Sequence, residues 1–278
     1  IASYNYAANT IQPELYKTMI KEILKTQNPE VIIIDARAFQ YREEDQPPTE
    51  VTYRNVLTGM PLSLNKLEFI YENVEKYLKE GKASYCFDLI KYHRDLNGEI
   101  INNQIKMAVN MYENPLKGFY FVPKATEQTL VENNTEKKTP VAEETEKILI
   151  DLLEYCKTTE CNYLFVVSPY VEQETHKENF NYISEIINKY GYSFLDANDF
   201  YDEMGIDFNK DLYDYNHVNI FGSEKYTDFL VEYLKSKYDL LDRRQDIKYQ
   251  SWFDLLDNWN NLVNNTKIQI NKLIEENT

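Results

Sequence analysis

The residues best placed to do chemistry lie in the stretch Asp211-Leu-Tyr-Asp214-Tyr-Asn-His217-Val-Asn219-Ile-Phe-Gly222-Ser223. A histidine acting as a general base must offer one ring nitrogen to a nucleophile while the other donates to an orienting acceptor. A carboxylate three residues upstream on a tight turn can be that acceptor, which makes Asp214 and His217 the candidate pair and Asp211 a second carboxylate beside it. The competing reading is that Asp214 caps a turn and His217 is a surface histidine. Other groups sit where crevices form. Asp35 and Arg37 follow a β-branched run and either face a crevice or pair to serve the fold. Ser168 closes another apolar run but lacks the glycine-flanked elbow of an exposed nucleophile, so it is expected at most to line that crevice. Metal-assisted hydrolysis through Asp214 and His217 ranks last, because His93 and His176 stand in unrelated polar contexts and supply no third ligand. The acidic run from Asp196 to Glu203 does not meet the spacing of a calcium loop and is read as a solvated loop. No metal site and no cofactor are expected.

The elements that must position these residues follow from periodicity. After the Asp-x-x-His stretch, Tyr226, Phe229, Leu230, Tyr233 and Leu234 recur at helical spacing, with Ser223 as the expected N-cap. Near the start, Ile1 to Ala7 reads as a strand. A helix follows with Leu15, Tyr16, Met19, Ile20, Ile23 and Leu24 on one face, then Val31 to Ile34 as a strand buried in a parallel sheet. Residues 38–62 are expected to be an irregular excursion partly covering the site, and residues 64–78 a helix ended by Gly81. Residues 84–114 are expected to be helical fragments of an insertion or lid. Gly118 to Pro123 reads as a short strand or edge ribbon and Lys124 to Lys138 as a surface loop. Thr139-Pro140 opens a helix with Ile148, Leu149, Leu152, Leu153 and Cys156 inside. Tyr163 to Ser168 is the next strand, Phe180 to Ile187 lies on the next helix, and Tyr192 to Leu195 is a short strand. A charged linker, 239–246, precedes a long helix carrying Trp252, Leu255, Leu256, Trp259, Leu262, Val263, Ile270 and Leu273. Its apolar stripe is covered by the parent domain or by a second copy in a homodimer.

Composition narrows the function. The chain has 278 residues, 43% hydrophobic and 27% charged, within the range of globular domains. Its formal net charge of −16 argues against nucleic acid, which calls for a basic face, and against docking on an anionic membrane. No apolar run reaches membrane-span length. Neutral or sugar-like substrates remain open. Cys86, Cys156 and Cys161 match no metal spacing; Cys156 falls on an apolar helix face and is read as core. The start at Ile1, without methionine or leader, raises the expectation that a segment precedes it.

Asp-x-x-His, then Asn219, Gly222 and a closing helix, near the end of an α/β chain, resembles the last block of the SGNH (GDSL-type) hydrolase superfamily, and most closely its divergent, surface-polysaccharide-associated branch. The resemblance spans roughly residues 1–238, with this block its specific part. It implies an α/β/α three-layer sandwich with a parallel, flavodoxin-like sheet, here carrying a helical and loop insertion at about 38–138 and a C-terminal helical extension at 239–278. It implies that His217 is the base and Asp214 its orienting acid in a Ser-His-Asp triad. The family's serine follows its first strand, and no Gly-Asp-Ser or Gly-Ser-Ser motif stands in this chain; the chain resembles one starting at the second strand. The serine is therefore expected upstream, or the protein is a catalytically silent relative. The family's oxyanion glycine and Gly-x-Asn-Asp are also absent, which leaves Asn5 or Asn9 as side-chain donors, or as turn and cap residues. By resemblance the function is an esterase or acyltransferase on ester, first acetyl, groups of a cell-envelope glycan, working outside the cytoplasm on a carbohydrate or acylated small molecule. The alternative is a non-catalytic module on the same fold that binds a glycan or a partner.

Overall fold

The computed structural model describes residues 2–8, 10–40, 48–74, 81–87, 90–91, 116–120, 122–131 and 133–277, and the structural statements below concern these. The architecture is mixed α/β. Three parallel strands, β1 (Val31–Asp35), β2 (Asn162–Val167) and β3 (Ser193–Asp196), lie in the order β1-β2-β3, with Ile33 opposite Leu164 and Val166 opposite Leu195. A separate two-stranded antiparallel ribbon joins β4 (Leu212–Asp214) to β5 (His217–Val218). The helices that matter below are α1 (Leu15–Leu24), α2 (Glu50–Leu57), α3 (Glu143–Lys157), α4 (Glu174–Lys189), α5 (Ile220–Lys237) and α6 (Leu256–Asn277).

The continuous apolar run of β2 has a direct cause: both of its faces are covered. Side chains alternate across a strand, so Tyr163, Phe165 and Val167 enter one cluster while Leu164 and Val166 enter another. The first cluster is filled by Leu15, Tyr16, Met19 and Ile20 of α1, by Leu149, Leu152, Leu153 and Cys156 of α3, and by Phe180, Ile183 and Ile187 of α4. The second receives Phe229, Leu230, Tyr233 and Leu234 of α5. Strand β1 is covered less well on this second side, where Ile33 is 39% exposed.

Several expectations need correction. Residues 2–8 form no strand; Tyr4 and Tyr6 are exposed, and the amide of Asn5 donates to the carbonyl of Lys117 at 2.9 Å instead of to a ladder. Of the stretch Gly118 to Pro123, the described residues form no strand; 116–118 is a turn, with Gly118 at φ +87° pressed against Asn5. The stretch expected to cover the site includes α2, whose Tyr53, Val56 and Leu57 are buried in the main core. Thr49 caps it, accepting from the amide of Thr52. The helix expected from Thr139-Pro140 begins at Glu143, because the Thr139 hydroxyl bonds the Glu178 carboxylate at 2.5 Å. The insertion expected over 84–114 falls mostly outside the described residues. All three cysteines are free, and Cys156 is core.

Of the two coverings expected for the last helix, its own domain takes Val263, Thr266 and Ile270, which are buried, with Ile220, Phe221 and Phe119 packed against the two apolar members. Lys267 adds an ion pair to Glu224 at 2.5 Å.

Helix α5 starts at Ile220, three residues earlier than expected. Asn219, not Ser223, is its N-cap, accepting from the amide of Phe221 at 3.0 Å. Its side-chain amide also donates to the carbonyls of Lys124 and Lys210. Gly222, in the first turn, lies so close to the preceding loop that a Cβ there would meet the Asp211 carbonyl oxygen at 2.5 Å and Val218 Cβ at 2.8 Å. Gly222→Ala is therefore expected to destabilise the fold by about 1–3 kcal/mol, lowering Tm by roughly 2–10 °C in thermal unfolding. Gly59→Ala, which would meet only a carbonyl at 3.9 Å, is expected to leave Tm unchanged.

Candidate active site

The turn joining β4 to β5 brings Asp214 and His217 together. His217 Nδ1 lies 2.9 Å from Asp214 Oδ1 and 3.1 Å from Oδ2. A carboxylate only accepts, so Nδ1 donates, and the neutral ring then carries its lone pair on Nε2. The imidazole stacks on Tyr213, with ring centroids 4.9 Å apart and planes 4° apart. The His217 side chain is 55% exposed and that of Asp214 38%. An ion pair this open contributes at most about 1 kcal/mol. It does not hold the turn in shape.

Backbone and side-chain tethers do. The Asp214 carboxylate accepts from the amide of Asn216 at 2.8 Å. The carbonyl of Tyr215 accepts from the amide of Val171 at 2.8 Å. Arg37 donates through one terminal nitrogen to the carbonyl of Asn216 at 3.1 Å and through the other to the Asn216 side chain. Thr126 completes the set, its amide bonded to the carbonyl of Leu212 and its hydroxyl to that of Tyr213. Asp211 lies just upstream and is 1% exposed; its carboxylate accepts from Lys225 at 2.6 Å and from the amide of Asp207 at 2.7 Å. It fastens α5 to the loop and does not contact His217.

The other residues singled out by sequence divide clearly. Asp35 and Ser168 are exposed at the carboxyl ends of β1 and β2. Asp35 nonetheless has protein atoms crowded around it. That crowding raises its carboxyl above the ordinary range, against the lowering pull of the Arg37 amide and guanidinium. Ser168 Oγ donates to Tyr226 Oη at 3.4 Å, and burial pushes the Tyr226 phenol up to about 12. The Arg37 guanidinium is engaged by Asn216 and lies 3.9 Å over the Tyr170 ring, so it is committed to the protein and not to the open crevice. Asn5 is bound to the 116–118 turn through its backbone amide. Asn9 and His93 lie outside the described residues. His176 bonds Tyr170 at 3.0 Å, with burial and Arg37 both lowering its pKa. None of the chain's serines, all of which are described, hydrogen-bonds His217. Among the described residues no group of three His, Cys, Asp or Glu could hold a metal ion.

Sequence reading missed a buried carboxyl cluster behind the Arg37 platform. Asp196, 5% exposed, accepts from Lys177 at 2.9 Å and from the amide and side chain of Asn198 at 3.1 and 2.8 Å. Asn198 in turn accepts from the amide of Tyr170 at 3.0 Å and from the Tyr201 hydroxyl at 2.8 Å. Glu172 is 3% exposed and faces the Asp196 carboxylate. Burial first, and that negative charge second, push it up to about 9, with Lys177 opposing. Burial lowers Lys177, but Asp196 and Asp199 outweigh it and leave it raised. The run from Asp196 to Glu203 read as a solvated loop; the signal that could have separated Asp196 from the rest was its place at a strand end.

Comparison with protein-family models, with curated proteins and with solved structures finds no match.

Glu172 has a measurable consequence. An unfolded glutamate loses its proton near 4.5, whereas the folded one holds it to about 9. The folded state therefore binds the extra proton between those values, and stability falls as pH rises through the window, by up to about 1.4 kcal/mol per pH unit. Urea unfolding at pH 5.5 and 8.5 is expected to show this loss, and Glu172→Gln to flatten it; an equal loss in both proteins would refute the assignment.

Proposed function

We propose that this chain carries the acid–base arm of an SGNH-type serine esterase or acyltransferase, acting on ester groups, acetyl first, of a cell-envelope glycan outside the cytoplasm. In this reading residues 1–238 form the catalytic domain, a three-layer α/β/α sandwich of flavodoxin type with an insertion at about 38–138, and residues 239–278 are an extension. The observation that carries it is the Asp214–His217 pair at 2.9 Å, on a loop closed by the capping Asn219 and the tightly packed Gly222. His217 Nε2 takes the proton of an attacking hydroxyl, the tetrahedral intermediate forms, and the same nitrogen returns the proton to the leaving alkoxide. Asp214 holds the tautomer and stabilises the imidazolium between the two steps. In this reading the nucleophile is a serine outside these 278 residues, and within them no serine is hydrogen-bonded to His217. No helix among the described residues is long and apolar enough to cross a membrane.

One observation favours a second reading, a binding module for a glycan or partner: His217 is more than half exposed, and among the described residues no serine is hydrogen-bonded to it. Hydrolysis of p-nitrophenyl acetate and of an acetylated glycan by the natural protein in full separates the two. His217→Ala is expected to lower kcat by roughly 10⁶-fold and Asp214→Asn by about 10⁴-fold, in line with the loss of triad members elsewhere. Turnover indifferent to His217, or no turnover on either substrate, favours the binding module.

A further inference from the structure

We infer that Arg37 is a positioning residue for the Asp214–His217 pair, acting as a clamp built from the ends of all three parallel strands. Only two residues, Tyr215 and Asn216, separate the carboxylate from the imidazole, and both are gripped from the sheet. Arg37, two residues past the end of β1, donates to the carbonyl and to the side chain of Asn216. The segment after β2 supplies the Val171 amide to the carbonyl of Tyr215 at 2.8 Å, and the Tyr170 ring on which the guanidinium rests at 3.9 Å. The end of β3 holds that ring in turn, since Asn198 accepts from the Tyr170 amide at 3.0 Å and is itself bonded to Asp196.

The geometry of the guanidinium explains why this is an arginine. A planar fork can meet two acceptors on one residue while its face lies on an aromatic ring, which an ammonium cannot do. Its Nε is buried and has no partner among the described residues. A buried donor left unmade is unfavourable, so the guanidinium is held where Asn216 and Tyr170 need it rather than where all its donors are met. The consequence for the pair follows from the same turn. The Asn216 amide donates to the Asp214 oxygen that also receives His217 Nδ1. Displacing Asn216 displaces the carboxylate, and the imidazole loses its orienting partner. Misplacements of about 1 Å are enough to lower turnover by roughly 100-fold.

The kinetic arm of the test rests on the proposed esterase activity; the exchange arm does not. Arg37→Met keeps the stem and removes every donor, while Arg37→Lys keeps the charge and a single donor nitrogen without the planar fork. Backbone amide hydrogen exchange is measured at Asn216, with Val166 in β2 reporting global opening, alongside kcat and KM on p-nitrophenyl acetate for the natural protein. The clamp is expected to give exchange at Asn216 at least tenfold faster in Arg37→Met with Val166 unchanged, and a smaller effect in Arg37→Lys. kcat is expected to fall at least tenfold with KM unchanged and to be partly restored by Arg37→Lys. Unchanged exchange at Asn216 in Arg37→Met overturns the inference, as does an increase shared equally by Val166 in both variants. If the natural protein shows no His217-dependent turnover, the esterase reading fails, and Asn216 exchange alone decides the clamp.

Discussion

The grip on Tyr215 and Asn216 is the interaction on which the rest of the site depends. A histidine and an aspartate three residues apart on an exposed turn attract each other too weakly in water to fix their own geometry. Each tethering hydrogen bond contributes about 0.5–1.5 kcal/mol, and several converge on residues 212–216 from three segments distant in sequence. The turn therefore inherits its shape from the sheet. The pair can stay open to solvent, with His217 stacked on Tyr213, without losing its alignment.

That dependence accounts for the polar character of the ground beneath the site. Behind Tyr170 lie Glu172, Lys177, Asp196 and Asn198, all buried. Three carboxyl groups, Glu172, Asp196 and the partly exposed Asp199, compete for one ammonium, Lys177. Two ionised carboxylates facing each other in a dry site repel strongly, so retaining a proton on Glu172 is the cheaper state. The cluster orients Asn198, Asn198 orients Tyr170, and the backbone after β2 is thereby fixed where it meets the turn. A fully apolar core at this place would lack the directional contacts that set that backbone.

Much of this was legible in the sequence where local pattern and tertiary demand coincide. The β-branched run Val31–Ile34 and the apolar run Tyr163–Val167 became neighbouring parallel strands, with β2 covered on both faces and β1 better on one than on the other. Asp214 and His217 met because their spacing suits one tight turn. Reading failed where partners distant in sequence decide the outcome. Residues 2–8 have strand-like composition but find the 116–118 turn instead of a strand. Ser223 is a good cap by type, yet Asn219 caps because its side chain also reaches the carbonyls of Lys124 and Lys210. Arg37 stood out at a strand end, but nothing local indicated that its acceptor would be Asn216, 179 positions away. Glu172 reads as an ordinary surface glutamate until Asp196 is brought against it.

The central claim is that Asp214 holds His217 as a base, with the proton on Nδ1 and the lone pair on Nε2. The most direct measurement is the tautomeric state of the neutral His217 ring by ¹⁵N NMR, using the long-range couplings of the ring nitrogens to its carbon-bound protons and assigning the signal with His217→Ala. The account predicts a protonated Nδ1 and an unprotonated Nε2 in the folded protein, and loss of that preference in Asp214→Ala. A ring protonated on Nε2, or one whose tautomer is indifferent to Asp214, would contradict it.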